Sequence, residues 1–266
     1  MDYKCTAIIL RSSRLSESDK ILHLYSPEYG PLRAVAKGSY KLNSKLASKS
    51  QVLSVCEFQI AKGRNLDIIK EAKLLESFRG INSNYEALTL ACFWVDIVDH
   101  VAVSDDHYME PYGLLVAALV ELNQIANDGV EKLTSRSVKF IWDLIEGLGY
   151  KPELETCSLS GKKRSQEQIP QYFDFDNGSI TSSSAYASLL ELNPYLDHVE
   201  ALQPVVFKVI DSLDKREWFD IVHDYDSLRS SLIFLKRHLA YCLHKEFKSW
   251  SLVQEILQGT PQLKVA

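Results

Sequence analysis

The chain has 266 residues, 46% of them hydrophobic and 10% aromatic, enough for two domains with real cores or one large one. No apolar run reaches the roughly 18 residues of a membrane span, and MDYKCTAIIL at the start lacks a signal peptide's cleavage region, so a cytoplasmic protein without a membrane role is expected. The net charge of −5 hides an asymmetry: residues 1–80 hold 14 Lys+Arg against 8 Asp+Glu, a net of +6, while the remaining 186 carry −11. A basic module on an acidic body points to a polyanion partner.

Residues 3–75 read as strands. Tyr3–Arg11 is apolar and rich in β-branched residues, and Lys20–Tyr25 follows a polar turn. Ser26-Pro27-Glu28-Tyr29-Gly30 turns the chain into Leu32–Lys37. Val52–Ala61 alternates, with Cys56, Phe58 and Ile60 on one face, and Lys62-Gly63-Arg64-Asn65 leads into Leu66–Leu75. Five short strands without helical period predict an OB-type β-barrel; an SH3-like barrel reads similarly. OB barrels bind single strands through a basic groove with stacked aromatics, for which Tyr25, Tyr29 and Tyr40 are candidates.

The third strand and the loop that follows it lie in GPLRAVAKGSYKLNSKLASKS, residues 30–50. It carries Arg33, Lys37, Lys41, Lys45 and Lys49, and no acid occurs between Glu28 and Glu57. Gly38-Ser39 argues against a helix, so a long flexible basic loop is expected. The competing reading is a solvated loop kept soluble by lysines.

After Phe78 the hydrophobic period changes from two to 3.6. Ser83 with Glu86 resembles a capping box, followed by an apolar stripe to Ala102. A second helix starts by Pro111 and runs to Asn127; a third ends at Gly149 and Pro152. In 151–184, Asp176-Asn177-Gly178-Ser179 signals a hairpin. Helices resume from about Ala185, with a short one at Val205–Leu213 and a longer one at Leu228–Phe247. The last has Leu228, Leu232, Leu235, Leu239 and Leu243 as its buried face and Arg229, Lys236, Arg237, Lys245 and Lys248 on the other. The expected architecture is multi-domain α+β: a five-stranded OB-type barrel over 1–80, then an all-α domain over 81–266 with a small hairpin insertion at about 151–184.

No phosphate-binding glycine loop, nucleophile elbow or HExxH zinc motif occurs. Asp105-Asp106-His107 is the one cluster that a metal-dependent nuclease could use; acids ahead of a helix, favouring its dipole, are the plainer explanation. No catalytic residues are assigned, and a binding protein is expected.

The stretch ILRSSRLSESDKILHLYSPEYGPLRAVAKGS at residues 9–39, with the later KLNSKL, resembles the RecO family of bacterial recombination mediators. LGYKPELETC at 148–157 and LKRHLAYCLHKEFKS at 235–249 resemble its LGY-x-P-x-L-x-x-C segment and final amphipathic helix. The resemblance implies a non-catalytic protein that binds single- and double-stranded DNA and anneals complementary strands. It also implies partners: RecR, the acidic C-terminal tail of single-strand-binding protein (SSB) and, indirectly, RecA. It further implies a cytoplasmic protein associated with the nucleoid during repair. Family members often carry zinc on two CxxC pairs. Here Cys157-Ser158-Leu159-Ser160 keeps one thiol and only serines and a threonine follow the hairpin, so a degenerate module without zinc or any other cofactor is expected.

DNA contacts are expected from Arg11, Arg14, Arg33, Lys37, Lys41, Lys45, Lys49 and Arg64. If the five cations of 33–49 each neutralise a phosphate, single-strand affinity falls with a log-salt slope of roughly −3 to −4. An acidic tail would use an apolar notch at Leu239 and Leu243 beside Lys236, Arg237 and Lys245; a solvated basic face on a core helix is the alternative. A nuclease or a protein adaptor without DNA binding are the alternatives from other functional classes.

Overall fold

The computed structural model of the protein describes residues 2–41, 44–102, 109–165, 169–192, 197–218 and 223–259. Five strands open the chain: β1 Asp2–Arg14, β2 Lys20–Ser26, β3 Gly30–Ala36, β4 Val55–Ala61 and β5 Asp67–Glu76. They close into a barrel in the order β1-β2-β3-β5-β4, with β4 pairing back to β1 and only β3 and β5 running parallel. This is the OB-type barrel that the alternating pattern predicts. Its interior is filled by every second residue, such as Ala7 and Ile9 of β1, Leu22 and Leu24 of β2 and Phe58 of β4. Phe58 is 1% exposed, and burial of a side chain that size contributes about 1.5–3 kcal/mol.

The barrel's outer face is divided. Ile8 and Tyr25 are paired partners that point outward, yet both are wholly buried. Helices α2 (Tyr85–Val101) and α3 (Met109–Gln124) pack against β1 and β2 there, and Tyr112 meets Tyr25 edge-on at 6.1 Å. Tyr25 is therefore core and offers no ring to a base. Elsewhere on the strands Arg11, Arg14 and Arg33 are exposed.

The short α1, Arg79–Ser83, precedes α2. Asn84 caps α2 by accepting from the Ala87 N–H at 2.8 Å, while the Ser83 hydroxyl donates back to the Gly80 carbonyl. The expected Ser83–Glu86 capping box does not form, because the chain makes a separate turn of helix first. At the other end of the chain, α8 (Trp250–Leu257) joins this unit. The Trp250 ring lies 5.2 Å from Phe93, and Ser249 donates through both N–H and Oγ to the Asp96 carboxylate.

A second unit holds α4 from Thr134 onward (the helix spans Val130–Gly147), strands β6 Tyr172–Asp174, β7 Ser179–Thr181 and β8 Val199–Ala201, and helices α5 Ser183–Leu192, α6 Pro204–Asp214 and α7 Tyr225–Leu243. Helix α4 ends as Gly149 predicts. The residue sits at φ +77, and the N–H groups of Gly149 and Tyr150 satisfy the carbonyls of Glu146 and Ile145. The predicted hairpin is β6–β7, to which β8 adds a third strand on the other side of β6. Helix α7 stops four residues before the expected Phe247, because His244 adopts a left-handed conformation at φ 50.

Compactness groups the described residues up to 133 with 247–259 and sets those from 134 to 246 apart. The change from strands to helices falls between Glu76 and Arg79. The boundary near residue 80 is thus where the hydrophobic period changes, and α1–α3 pack with the barrel as one compact unit.

Candidate nucleic-acid interface

Among the cations expected to contact DNA, two groups are brought together on the barrel; Arg64, between β4 and β5, belongs to neither, and Lys49 is an exception. Strand register aligns Arg11 with His23 and His23 with Arg33, so three basic side chains lie in one line across β1, β2 and β3. The second group surrounds the connection of β1 to β2. Asp19 accepts from the Gly38 N–H at 2.7 Å, and the Tyr40 N–H donates to the Ser18 carbonyl at 3.0 Å. The β1–β2 turn and the start of the basic segment are thereby tied together. The Gly38 N–H and then the Ser18 hydroxyl hold the Asp19 carboxyl below its usual range, with Lys37 acting the same way.

Tyr40 stands at this junction, 49% exposed, with the Lys20 ammonium 4.7 Å and the Arg14 guanidinium 5.8 Å from its ring centre. Of the three stacking candidates it is the one placed among cations. Tyr29 is also exposed, but its ring packs at 5.1 Å against Tyr3. Lys20 and His23 escape a reading of charge runs, since neither lies in a basic stretch. Only the strand pairing and the loop contact bring them to the site.

Residues 37–41 and 44–54 form successive turns rather than the free loop expected. Lys41, Ala47 and Lys49 each donate a backbone N–H three residues back, and Leu46 packs against the barrel core. At its end Leu53 is 1% exposed with φ 72, and its N–H donates to the Ile9 carbonyl. Lys37, Lys41 and Lys45 remain exposed, and they, Arg33 and Arg64 form no ion pair among the described residues. Lys49 is the exception. Its ammonium donates to the Ala72 carbonyl at 2.7 Å, so its charge is held by the barrel rather than presented to solvent.

The partner-tail candidates fare differently. Leu239 is wholly buried and belongs to the core face of α7, so it forms no surface notch. Leu243 is half-buried, and exposed Lys245 lies past the helix end. Lys236 is ion-paired with Glu246 at 2.9 Å, and Arg237 is paired with Glu200 while lying 5.1 Å from the Phe175 ring centre. A cavity of about 150 Å³ beside Arg237 is lined by Phe173, Phe175, Ile233 and Phe234 together with Glu200, the partner of that arginine. It escapes sequence reasoning because β6, β8 and α7 build it together.

In the 151–184 segment the residues present do not fit zinc. Among the described residues no three or more His, Cys, Asp or Glu side chains converge as ligands. Around Cys157 the remaining donors are hydroxyls and amides: the Ser182 N–H reaches its sulfur at 3.4 Å, and Ser158 bridges Thr181 at 2.9 Å and Asp174 at 3.2 Å. Burial pushes the Cys157 thiol up, but the Ser160 hydroxyl and the Ser182, Ser160 and Leu159 N–H groups outweigh it and bring the group to about 7. The Asp174 carboxylate, wholly buried, accepts from Asp176, Asn177 and Ser158 and holds the hairpin turn. The nuclease candidates Asp105, Asp106 and His107 lie outside the described residues.

Comparison with known proteins agrees with this architecture. Residues 1–78 match the family described as Recombination protein O N terminal, and residues 82–203 match Recombination protein O C terminal. The chain is similar to the DNA repair protein RecO of Nostoc punctiforme, 34% identical over 160 residues that cover 60% of this chain and 53% of the relative. The Gloeobacter violaceus protein of the same name is 30% identical over 180 residues, covering 68% and 67%. The Cutibacterium acnes protein is 30% identical over 161 residues, covering 60% and 65%. The matched stretch thus spans about half to two thirds of the length of these relatives. On the match of both its parts, the chain belongs to the RecO family of DNA repair proteins.

Proposed function

We propose that this protein is a non-catalytic, cytoplasmic DNA-binding mediator of repair, in which the barrel carries the strand. The observation that carries the reading is the set of exposed cations on the barrel and its connecting segments: Arg11, Arg14, Arg33, Lys37, Lys41, Lys45 and Arg64, joined by Lys20 and Tyr40. Lysines on turns contact phosphates without reading base edges, so binding is sequence-tolerant and salt-sensitive. Tyr40 gives one base a stacking surface, a contact that every base can make. Single- and double-stranded DNA both present the required phosphates, and a protein that holds two strands by their backbones leaves the bases free to anneal.

Membership in the RecO family motivates the finer reading: engagement of the SSB tail, association with RecR and assistance in loading RecA. An acidic tail ending in an aromatic residue needs an apolar notch rimmed by a cation. The cavity beside Arg237 has the apolar lining that the buried Leu239 cannot offer, but Glu200 also lines it and pairs with that arginine, so a tail carboxylate would have to displace it. No cofactor takes part in this reading, and none of the described residues supplies a zinc set.

The test is strand annealing. Two complementary labelled oligonucleotides are mixed with the wild type and with a Lys37→Ala, Lys41→Ala, Lys45→Ala variant, with and without magnesium. Acceleration by the wild type that the variant lacks, with both strands intact, supports the mediator. Magnesium-dependent shortening of either strand identifies a nuclease, and no effect on either strand identifies an adaptor.

A further inference from the structure

The line Arg11–His23–Arg33 has a property that its two arginines alone would not have. The neighbours Leu22, Leu24 and Ala34 point into the core, so His23 and Arg33 project outward by the alternation of the pleat. On the same face, one pleat along, Tyr25 is sealed beneath α2 and α3. The line begins where that cover ends: the Arg11 side chain is 60% exposed, Arg33 is exposed and His23 is half-buried between them.

Arg11 Nη2 lies 3.2 Å from His23 Nδ1. A guanidinium only donates, so Nδ1 must accept, and the ring is neutral with its proton on Nε2. Protonating Nδ1 would turn this contact into two donors facing each other and place a third positive charge between two permanent ones. Burial first, then Arg11 and Arg33, hold the imidazole below its ordinary range. Asp99 of α2, 3.5 Å from Arg11, pulls the other way. These are the charged groups that face the ring from β1, β3 and α2 among the described residues.

We propose that this line is a phosphate seat and that His23 takes a proton from solvent onto Nδ1 when a nucleic-acid strand occupies it. The proposal rests on the DNA-binding reading above and adds the chemistry of one contact. A phosphate supplies the negative charge and the acceptors that the three side chains lack. One oxygen draws the Arg11 guanidinium off the imidazole, a second accepts the new Nδ1–H, and the negative charge cancels the repulsion that excludes the proton. Because binding and protonation are linked, each favours the other, and the strand binds more tightly as pH falls through the imidazole range.

The test is anisotropy with a rhodamine-labelled oligothymidylate at constant ionic strength, at about pH 8 and about pH 6, on either side of the ordinary histidine value. Wild-type affinity is expected to rise severalfold more than that of His23→Gln: a difference of one pKa unit between free and bound imidazole gives at most tenfold, and about pH 6 realises only part of it because the free ring titrates below its ordinary value. Identical pH responses overturn the proposal while leaving the DNA-binding reading intact; absence of binding by the wild type at either pH overturns both. A second measurement keeps the proposal testable if the variant folds poorly. The His23 ring proton is titrated by NMR in the wild type, with and without unlabelled oligothymidylate. A midpoint that moves up in the complex supports the phosphate seat, and an unmoved midpoint contradicts it.

Discussion

Two stretches of this chain carry closely similar signatures. In one, Arg33, Lys37, Lys41, Lys45 and Lys49 recur every four residues; in the other, Arg229, Lys236, Arg237, Lys245 and Lys248 decorate one side of an apolar helical repeat. Folding gives them different fates. On the barrel, Arg33, Lys37, Lys41 and Lys45 stay exposed with no ion pair among the described residues. Along α7, Arg229 meets Asp226, Arg237 meets Glu200, and Lys236 meets Glu246. A run of cations therefore does not define an anion site by itself. What decides is whether the fold brings carboxylates to it from elsewhere, and the only lysine of the first run withdrawn from solvent, Lys49, is held by a carbonyl instead.

The contrast can be broken in graded steps. The largest effect is expected from Leu239→Ala, which opens a cavity in the core face of α7. Unfolding free energy should fall by about 2–5 kcal/mol in denaturant titration, with DNA affinity of the folded fraction unchanged. A retained stability would return Leu239 to the surface role that the sequence pattern suggested. Next is Lys49→Ala, which leaves the Ala72 carbonyl without its charged donor. A loss of about 1.5 kcal/mol of stability is expected, with no change in the salt dependence of DNA binding. A shallower salt slope would instead class Lys49 with the phosphate contacts. The smallest effect belongs to Arg237→Ala. Its pair is half-exposed, so stability should move by no more than about 0.5 kcal/mol and DNA affinity not at all.

A fourth expectation concerns the thiols. Thiolate is the reactive form, and its fraction rises as pH rises through the group's value. Cys157, at about 7, should reach half its limiting rate of alkylation near that pH, that limit being low because the residue is only 6% exposed, whereas Cys5 and Cys56, pushed by burial to about 11, should stay inert. Mass spectrometry after a timed pulse of iodoacetamide reads all three. Stoichiometric zinc in the purified protein would contradict both this expectation and the misfit of the donor set.

Legibility in the sequence followed the physics that each feature depends on. The five barrel strands were readable because burial on one face imposes a period of two, and Cys56, Phe58 and Ile60 do face the core together. The Gly178 hairpin and the Gly149 helix stop were readable because each needs a positive φ that glycine adopts without strain. Strand β8 was not: three residues are too few to show a period, and Val199–Ala201 is a strand only because β6 offers it an edge. Asn84 displaced Ser83 as a cap because one turn of helix comes first. The site was half legible. Its charges were visible as a run, but His23 and Lys20 join it through register and through the Ser18–Tyr40 bond, which no local pattern encodes. Leu239 was read correctly as a buried-face residue and could not also serve as a surface notch.

The central claim is that the exposed lysines of residues 37–45 carry the strand. Its most direct test is the affinity for a short labelled single strand across a salt series, for the wild type and the Lys37→Ala, Lys41→Ala, Lys45→Ala variant. Each lysine on a phosphate contributes about 0.7 to the log-log slope, so the variant should bind more weakly with a slope shallower by about 2. Equal affinity and equal slope in the two proteins would contradict the claim and leave these lysines as solubilising charges on a well-anchored turn.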